Sequence, residues 1–234
     1  MLPLIPMPSP EDRPQLKYSS RYMTDIPRWL KVGAALAVVN FFVTCWLLWQ
    51  QESPNIRHFY YFAFKHPAPF TAADHQRGDL GSKVVLIEYG DFQCPYCRAL
   101  HKTLIDLQGS HRWLWVYRNY PLSYHDHAGL LAESAECAGA QGKFWQMGDA
   151  LYAEPPANPD PASLARLAGS LGLDEAKFDA CMTGPEVKLL VEQQRQAGDA
   201  LGIYGTPTFF INGIRFTGVL PPAQLEDIFK RFGS

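Results

Sequence analysis

The sequence predicts an α/β domain. Its sheet is partly parallel with helices packed against it, a helical block is inserted between its two halves, and a single membrane-spanning helix precedes it. Three observations lead there. An uncharged apolar run lies near the N-terminus, from Val32 to Trp49. Two β-rich runs, Lys83–Tyr89 and Trp113–Arg118, flank a stretch of helical spacing, the pattern of a strand–helix–strand unit and a parallel pairing. A hairpin and a closing helix then follow a long Ala-, Leu- and Gln-rich helical region.

Composition narrows the class. The chain has 234 residues, with 21 Lys+Arg against 23 Asp+Glu and 19% charged residues. That length allows one ordinary domain with an attachment, or two small ones, and it suffices to bury a core without a cysteine framework. A formal charge of −2 excludes the basic surplus expected of a nucleic-acid binder. An apolar share of 47% with this charge content excludes both a disordered chain and a polytopic membrane protein.

Residues 1–28 carry five prolines in their first fourteen positions and are expected to form a disordered cytoplasmic leader. Residues 29–50, built around the uncharged run Val32–Trp49, are expected to form a transmembrane helix of about 30 Å, enough to cross a bilayer core. Trp29 stands at one end and Trp46 and Trp49 at the other, where interfacial aromatics belong. Arg13, Lys17, Arg21, Arg28 and Lys31 precede the run, whereas only Arg57 and Lys65 follow within a comparable distance. The positive-inside rule therefore places the N-terminus in the cytoplasm and everything after about Gln50 in the periplasm or outside the cell. A cleaved signal peptide fits less well, because the leader is long and WLLWQQESPN offers no small-x-small site. Cys45, inside the run, reads as a small apolar filler. Residues 51–80 read as a tether, and 81–234 as the soluble domain.

Within that domain Lys83–Tyr89 is a buried strand, broken by Gly90-Asp91-Phe92-Gln93. Helical spacing then runs through Cys97, Leu100, Leu104 and Leu107. After the second strand, residues about 125–201 form the helical block, interrupted at Glu154–Pro161 and at Gly184-Pro185. Thr208–Ile211 and Ile214–Thr217 flank Asn212-Gly213, a type I′ hairpin signal. Pro221–Phe232 closes the chain as a helix with Pro near its first turn.

The chemistry lies in Cys94-Pro95-Tyr96-Cys97 at the strand-to-helix junction. Two cysteines so spaced can close a disulfide within one helical turn. The first sits at the helix N-terminus, where free N–H groups and the macrodipole favour a thiolate, which makes the pair more oxidising. The second lies a turn in and acts as the resolving thiol, and Pro95 suits the first turn because its missing N–H would be unpaired anyway. A zinc knuckle would need a second Cys/His pair; His125 and His127 are the only candidates, and no metal is expected. A plain structural disulfide is the other alternative. Glu88, an acid in the middle of an apolar strand, would be either a buried proton relay for Cys97 or a strand-edge residue reaching solvent. Thr206-Pro207 precedes a strand; a cis peptide there would set a backbone edge beside the dithiol for an extended peptide, although trans is the ordinary state. Asp91 and Gln93 read as loop residues without an assigned role.

The motifs VVLIEYGDFQCPYCRALH, RNYPLSYHDHA, ECAGAQGKFWQM, FDACM and YGTPTFFINGIRFTG, in that order, resemble a DsbA-type thiol–disulfide oxidoreductase over about residues 83–232. The resemblance implies a thioredoxin-like fold with the helical insertion. It implies Cys94 as nucleophile, Cys97 as its partner, Glu88 as buried acid, and Pro95, Tyr96, Thr206 and Pro207 as substrate-contacting residues. The best-known branch usually has His where this chain has Tyr96, and often Val where it has Thr206. Cys-Pro-Tyr-Cys also occurs in glutaredoxins and DsbG-type isomerases. A glutaredoxin is far shorter, and the stretch from Gln50 to Leu80 is too short for an isomerase's dimerisation domain, which points to a monomer. Related anchored oxidases often bridge the positions of Cys137 and Cys181; two free buried thiols are the alternative. The implied partners are reduced or unfolded client proteins and a quinone-linked membrane re-oxidant of the DsbB or VKOR type, with no cofactor. Two other functions fit the same residues: an isomerase or reductase, and a peptide-binding chaperone module that does no redox chemistry.

Overall fold

The computed structural model describes residues 38–44, 65–156 and 158–233. The expected membrane span, 29–50, lies mostly outside these; its described part, 38–44, is helical and exposed. Among the described residues no helix is long and apolar enough to cross a membrane. The leader 1–28 and residues 51–64 of the tether also fall outside them.

The soluble domain runs β1 (His75–Gly78), β2 (Val85–Gly90), α1 (Pro95–Gln108), β3 (Leu114–Asn119), then five helices, α2 (Ala128–Gly139), α3 (Phe144–Ala153), α4 (Pro161–Ser170), α5 (Glu175–Thr183) and α6 (Pro185–Ala200), and ends with β4 (Thr208–Ile211), β5 (Ile214–Thr217) and α7 (Pro222–Gly233). The sheet order is β1-β3-β2-β4-β5. β2 and β3 are parallel because α1 carries the chain back across the sheet between them, while β4 and β5 add as an antiparallel hairpin. Its two-residue turn places Asn212 at φ 48° and Gly213 at φ 86°, the left-handed pair that Asn-Gly supplies cheaply. This is a mixed α/β thioredoxin-like fold, as the sequence predicts. The additional strand β1, from a stretch read as tether, pairs antiparallel with β3.

Alternation along the strands divides the core. Leu86 packs with Leu100, Leu104, Trp113 and Trp115 beneath α1 and α7. Ile87 and Tyr89 face the opposite layer with Val116, Tyr120 and Phe210. A third cluster joins the helical block to the end of the sheet, and it holds Phe92, Cys94, Cys97 and Tyr117 together with Leu131, Met147, Leu151 and Phe178. The inserted block is thus the wall behind the dithiol. Gly90 is needed at the rim of this wall, because a Cβ there would stand 2.5 Å from the Tyr117 hydroxyl. A disulfide between Cys137 of α2 and Cys181 of α5, Cα–Cα 5.7 Å, staples the block from within.

Candidate active site

The chain leaves β2 at Gly90 and turns into α1 within four residues. Cys94 is the helix N-cap in extended conformation and Pro95 opens the helix. The Cys94 N–H donates to Asp91 O and the Arg98 N–H to Cys94 O, both at 3.1 Å. The N–H groups of Tyr96 and Cys97 are orphans of the first helical turn, and they point at the Cys94 sulfur. The Cys97 thiol donates to that sulfur as well. These donors, the Cys97 thiol foremost, bring the Cys94 thiol down to about 5 in spite of its burial.

Cys97 has the opposite environment. It is fully buried in the third cluster. Burial, the hydrogen bond given to Cys94 and the nearby Glu88 and Cys94 charges push its thiol well above the ordinary range, opposed only by the Asp91 N–H, 3.5 Å from Cys97 Sγ. One sulfur is therefore a thiolate at neutral pH and its neighbour a thiol.

Glu88 is fully buried on β2, so the strand-edge alternative does not describe it. Its Oε2 accepts the Trp115 indole N–H at 3.0 Å, and its Oε1 has no hydrogen-bond partner among the described residues. Burial raises this carboxyl to about 8; the indole opposes the shift and the Cys94 charge adds to it. Glu88 senses Cys94 because Cys94 is already ionised when Glu88 titrates, whereas Cys97 is still neutral.

The Thr206–Pro207 peptide is cis. Thr206 O lies 3.4 Å from Cys94 Sγ and accepts a hydrogen bond from it when the thiol is neutral. Tyr96 is exposed between the cysteines, and Pro95 is exposed beside it. A cleft of about 530 Å³ opens between Pro121–His125 and Tyr204, two residues before Thr206. Cys94, Cys97, Glu88, Pro95, Tyr96, Thr206 and Pro207 thus converge at one end of the sheet, while Cys137 and Cys181 are bonded to each other inside the helical block.

The structure also gives Asp91 a place that sequence reasoning left empty. Its side chain is buried and its Oδ1 accepts the Gln93 N–H at 2.7 Å; Oδ2 lies 2.9 Å from the Leu122 N–H and 2.8 Å from His125 Nδ1. Gln93 Oε1 in turn accepts the His127 N–H at 2.8 Å. His125 is therefore held by Asp91, and among the described residues no group of three or more His, Cys, Asp or Glu side chains could hold a metal ion.

An ionised cysteine at a helix N-terminus, a buried thiol partner and a buried acid beneath them define a thioredoxin-fold dithiol protein. The family model described as Thioredoxin matches residues 71–231, and the chain belongs to that family. Among solved structures, its fold matches a thioredoxin-like oxidoreductase from Silicibacter pomeroyi, with TM-score 0.62 and 26% identity over 69% of this chain and 92% of that one. It also matches the thiol-disulfide exchange protein alpha-DsbA2 from Wolbachia pipientis, with TM-score 0.62 and 18% identity over 75% and 92% of the two chains. The fold is that of the DsbA-type thiol–disulfide oxidoreductases. Curated relatives carry another name. A region 39% identical over 150 residues, 62% of this chain, occurs in Na(+)/H(+) antiporter NhaA 3 of Salinispora tropica, of which it covers 22%. The antiporter NhaA of Herminiimonas arsenicoxydans is 29% identical over 204 residues, 83% of this chain and 32% of that protein. The chain spans between about a fifth and a third of the length of the curated relatives it matches.

Proposed function

We propose that this protein is a membrane-tethered extracytoplasmic thiol oxidase that introduces disulfides into client proteins through Cys94 and Cys97. The observation that carries this reading is the inequality of the two sulfurs. A thiolate stabilised at Cys94 favours the reduced dithiol, so the disulfide is readily reduced and acts as an oxidant. A client thiolate attacks Cys94 Sγ, forming the mixed disulfide and expelling Cys97 as a thiolate. Glu88, protonated at neutral pH, is a stronger acid than the Cys97 thiol and gives that thiolate its proton. The client's second thiolate then attacks the client sulfur of the mixed disulfide, and Cys94 leaves as the stable thiolate it prefers to be.

The client backbone lies along Thr206-Pro207, with Tyr96 and Pro95 beside the reacting sulfur and the cleft toward Tyr204 receiving a neighbouring side chain. A quinone-linked membrane partner of the DsbB or VKOR type re-oxidises the dithiol, and the protein works as a monomer. The tether rests on the uncharged run within residues 29–50. It is supported by the Herminiimonas match, which covers 83% of the chain and so runs beyond residues 65–233 into this N-terminal region.

The test is the reduction potential of the Cys94–Cys97 pair in the full chain, held in detergent and equilibrated with glutathione. A value near about −120 mV is expected of a strong oxidant, and a value near about −270 mV would make the protein a reductant and overturn the oxidase reading.

A further inference from the structure

The exchange step leaves negative charge on Cys97, which is fully buried. Among the described residues, one polar hydrogen outside the dithiol motif is aimed at that sulfur, the Asp91 backbone N–H at 3.5 Å. The peptide that carries it is held through its own carbonyl, since Gly90 O accepts the Tyr120 N–H at 2.7 Å. The peptide that follows is held through Asp91 O, which accepts the Cys94 N–H at 3.1 Å and the Tyr152 hydroxyl at 3.3 Å. The Asp91 carboxylate is tied to Gln93 N, Leu122 N and His125 Nδ1, so it bridges the loop before the dithiol and the loop after β3. A carboxylate buried this deeply with three donors is costly to bury and rigid once satisfied.

We propose that the Asp91 side chain, locked by His125, is a positioning group that holds the Asp91 backbone N–H on Cys97 Sγ, where it stabilises the thiolate as it forms. The inference rests on the thiol-exchange reading above and adds a donor and its support to it. In the step itself the client thiolate forms a bond to Cys94 Sγ, the Cys94–Cys97 bond breaks, and its electron pair goes to Cys97. The Asp91 N–H meets that charge before the Glu88 proton arrives, the role that a preorganised amide plays wherever charge develops in a dry site. The donor acts on the transition state shared by both directions, so its loss slows forward and reverse exchange alike and leaves the equilibrium in place.

The first measurement needs no client. In the full chain carrying Cys94→Ala, alkylation of Cys97 by iodoacetamide against pH reads its thiolate directly. Adding Asp91→Ala is expected to move the alkylation midpoint up and slow the reaction about tenfold below it, with Asp91→Asn in between. An unmoved midpoint overturns the proposal, and so does a midpoint that falls, which would mean that the Asp91 charge opposes the thiolate. The second measurement follows exchange with a dithiol peptide in both directions by stopped flow, in the chain with both active cysteines. About tenfold slowing of both rates with an unchanged equilibrium constant is expected for Asp91→Ala, and slowing in one direction only overturns the proposal. If Asp91→Ala does not fold, His125→Ala carries the test. About threefold slowing and recovery in His125→Gln, which can still donate to the carboxylate, are expected; no change in His125→Ala overturns the proposal. A parent protein that exchanges no thiols at all would sink the oxidase reading instead, while the alkylation midpoint would still decide this one.

Discussion

The chain contains two described cysteine pairs with opposite fates. Cys94 and Cys97 share the first turn of α1, and Cys137 and Cys181 join α2 to α5 across 44 residues of sequence. Both pairs are buried or nearly so, so exposure does not separate them. The separation comes from what surrounds each sulfur. Cys94 collects the Tyr96 and Cys97 N–H groups at a helix start, with an acid and a carbonyl in reach. Cys137 sits in the apolar wall with Leu131, Phe144 and Phe178, away from any helix start. On the proposed reading one pair does the chemistry and the other is a staple, and the helix terminus makes the difference.

The largest break in this comparison is Cys94→Ser. Oxidation of a dithiol peptide is expected to fall to background, while binding of the same peptide, followed by fluorescence polarisation, persists. Undiminished oxidation in this variant would assign the redox chemistry to another sulfur and remove the basis for the contrast.

Glu88→Gln comes next and acts through pH. In the reduced folded protein Glu88 keeps its proton up to about 8, against 4.5 for a freely solvated Glu carboxyl. The folded state therefore binds more protons across that window. Its Glu88-linked stability is complete below the lower value and is lost as pH rises through the upper one, by as much as about 5 kcal/mol. Cys94 has the opposite sign: its thiol is lowered from 9.0 to about 5, so stability is gained as pH rises between them. The two slopes oppose each other in the native reduced protein. In Glu88→Gln only the rising slope should remain in urea unfolding against pH, and in Cys94→Ser only the falling one. Identical pH profiles for all three proteins would show that neither group is linked to folding. Thiol exchange at neutral pH should also slow at least about tenfold in Glu88→Gln, because the leaving Cys97 thiolate loses its acid.

Removing the staple tests the other half. Cys137→Ala with Cys181→Ala reopens a loop worth about 4 kcal/mol in the chain-entropy model. Urea unfolding should register most of that, while the exchange rate of Cys94–Cys97 in the folded protein stays within about twofold. A large loss of exchange without unfolding would mean that the block tunes the dithiol directly.

What the sequence disclosed was the local part of this arrangement. Cys-Pro-Tyr-Cys, the Asn-Gly turn and the acid at Glu88 within an apolar strand each announce themselves within a few residues, since helix start, hairpin and buried carboxyl are properties of short windows. β1 did not announce itself. His75-Gln-Arg-Gly is short and polar, and it is a strand because β3 offers it an edge while His75 stacks on Phe144 at 3.5 Å and meets Glu136 at 2.8 Å. Asp91 was invisible for a related reason. Its partners Leu122 and His125 are 31 and 34 residues away, and no periodicity marks a carboxylate whose acceptors are used across loops.

Trp115 shows the same limit at the finest scale and gives the smallest prediction. Its indole is the single hydrogen-bond donor on Glu88 among the described residues, and it reaches the acid because the parallel register sets Trp115 beside Leu86 and Tyr117 beside Glu88. Trp115→Phe keeps an aromatic ring in the core and deletes only the N–H. A bond that favours the charged carboxylate is then lost, so Glu88 should hold its proton to still higher pH, by up to about one pH unit. The limb of the exchange–pH profile governed by Glu88 should move up accordingly. The rate at neutral pH should change by no more than about threefold, because Glu88 is already protonated there. A limb that stays in place would mean that burial alone sets the acid, and that Trp115 fills the core beneath the dithiol without tuning it.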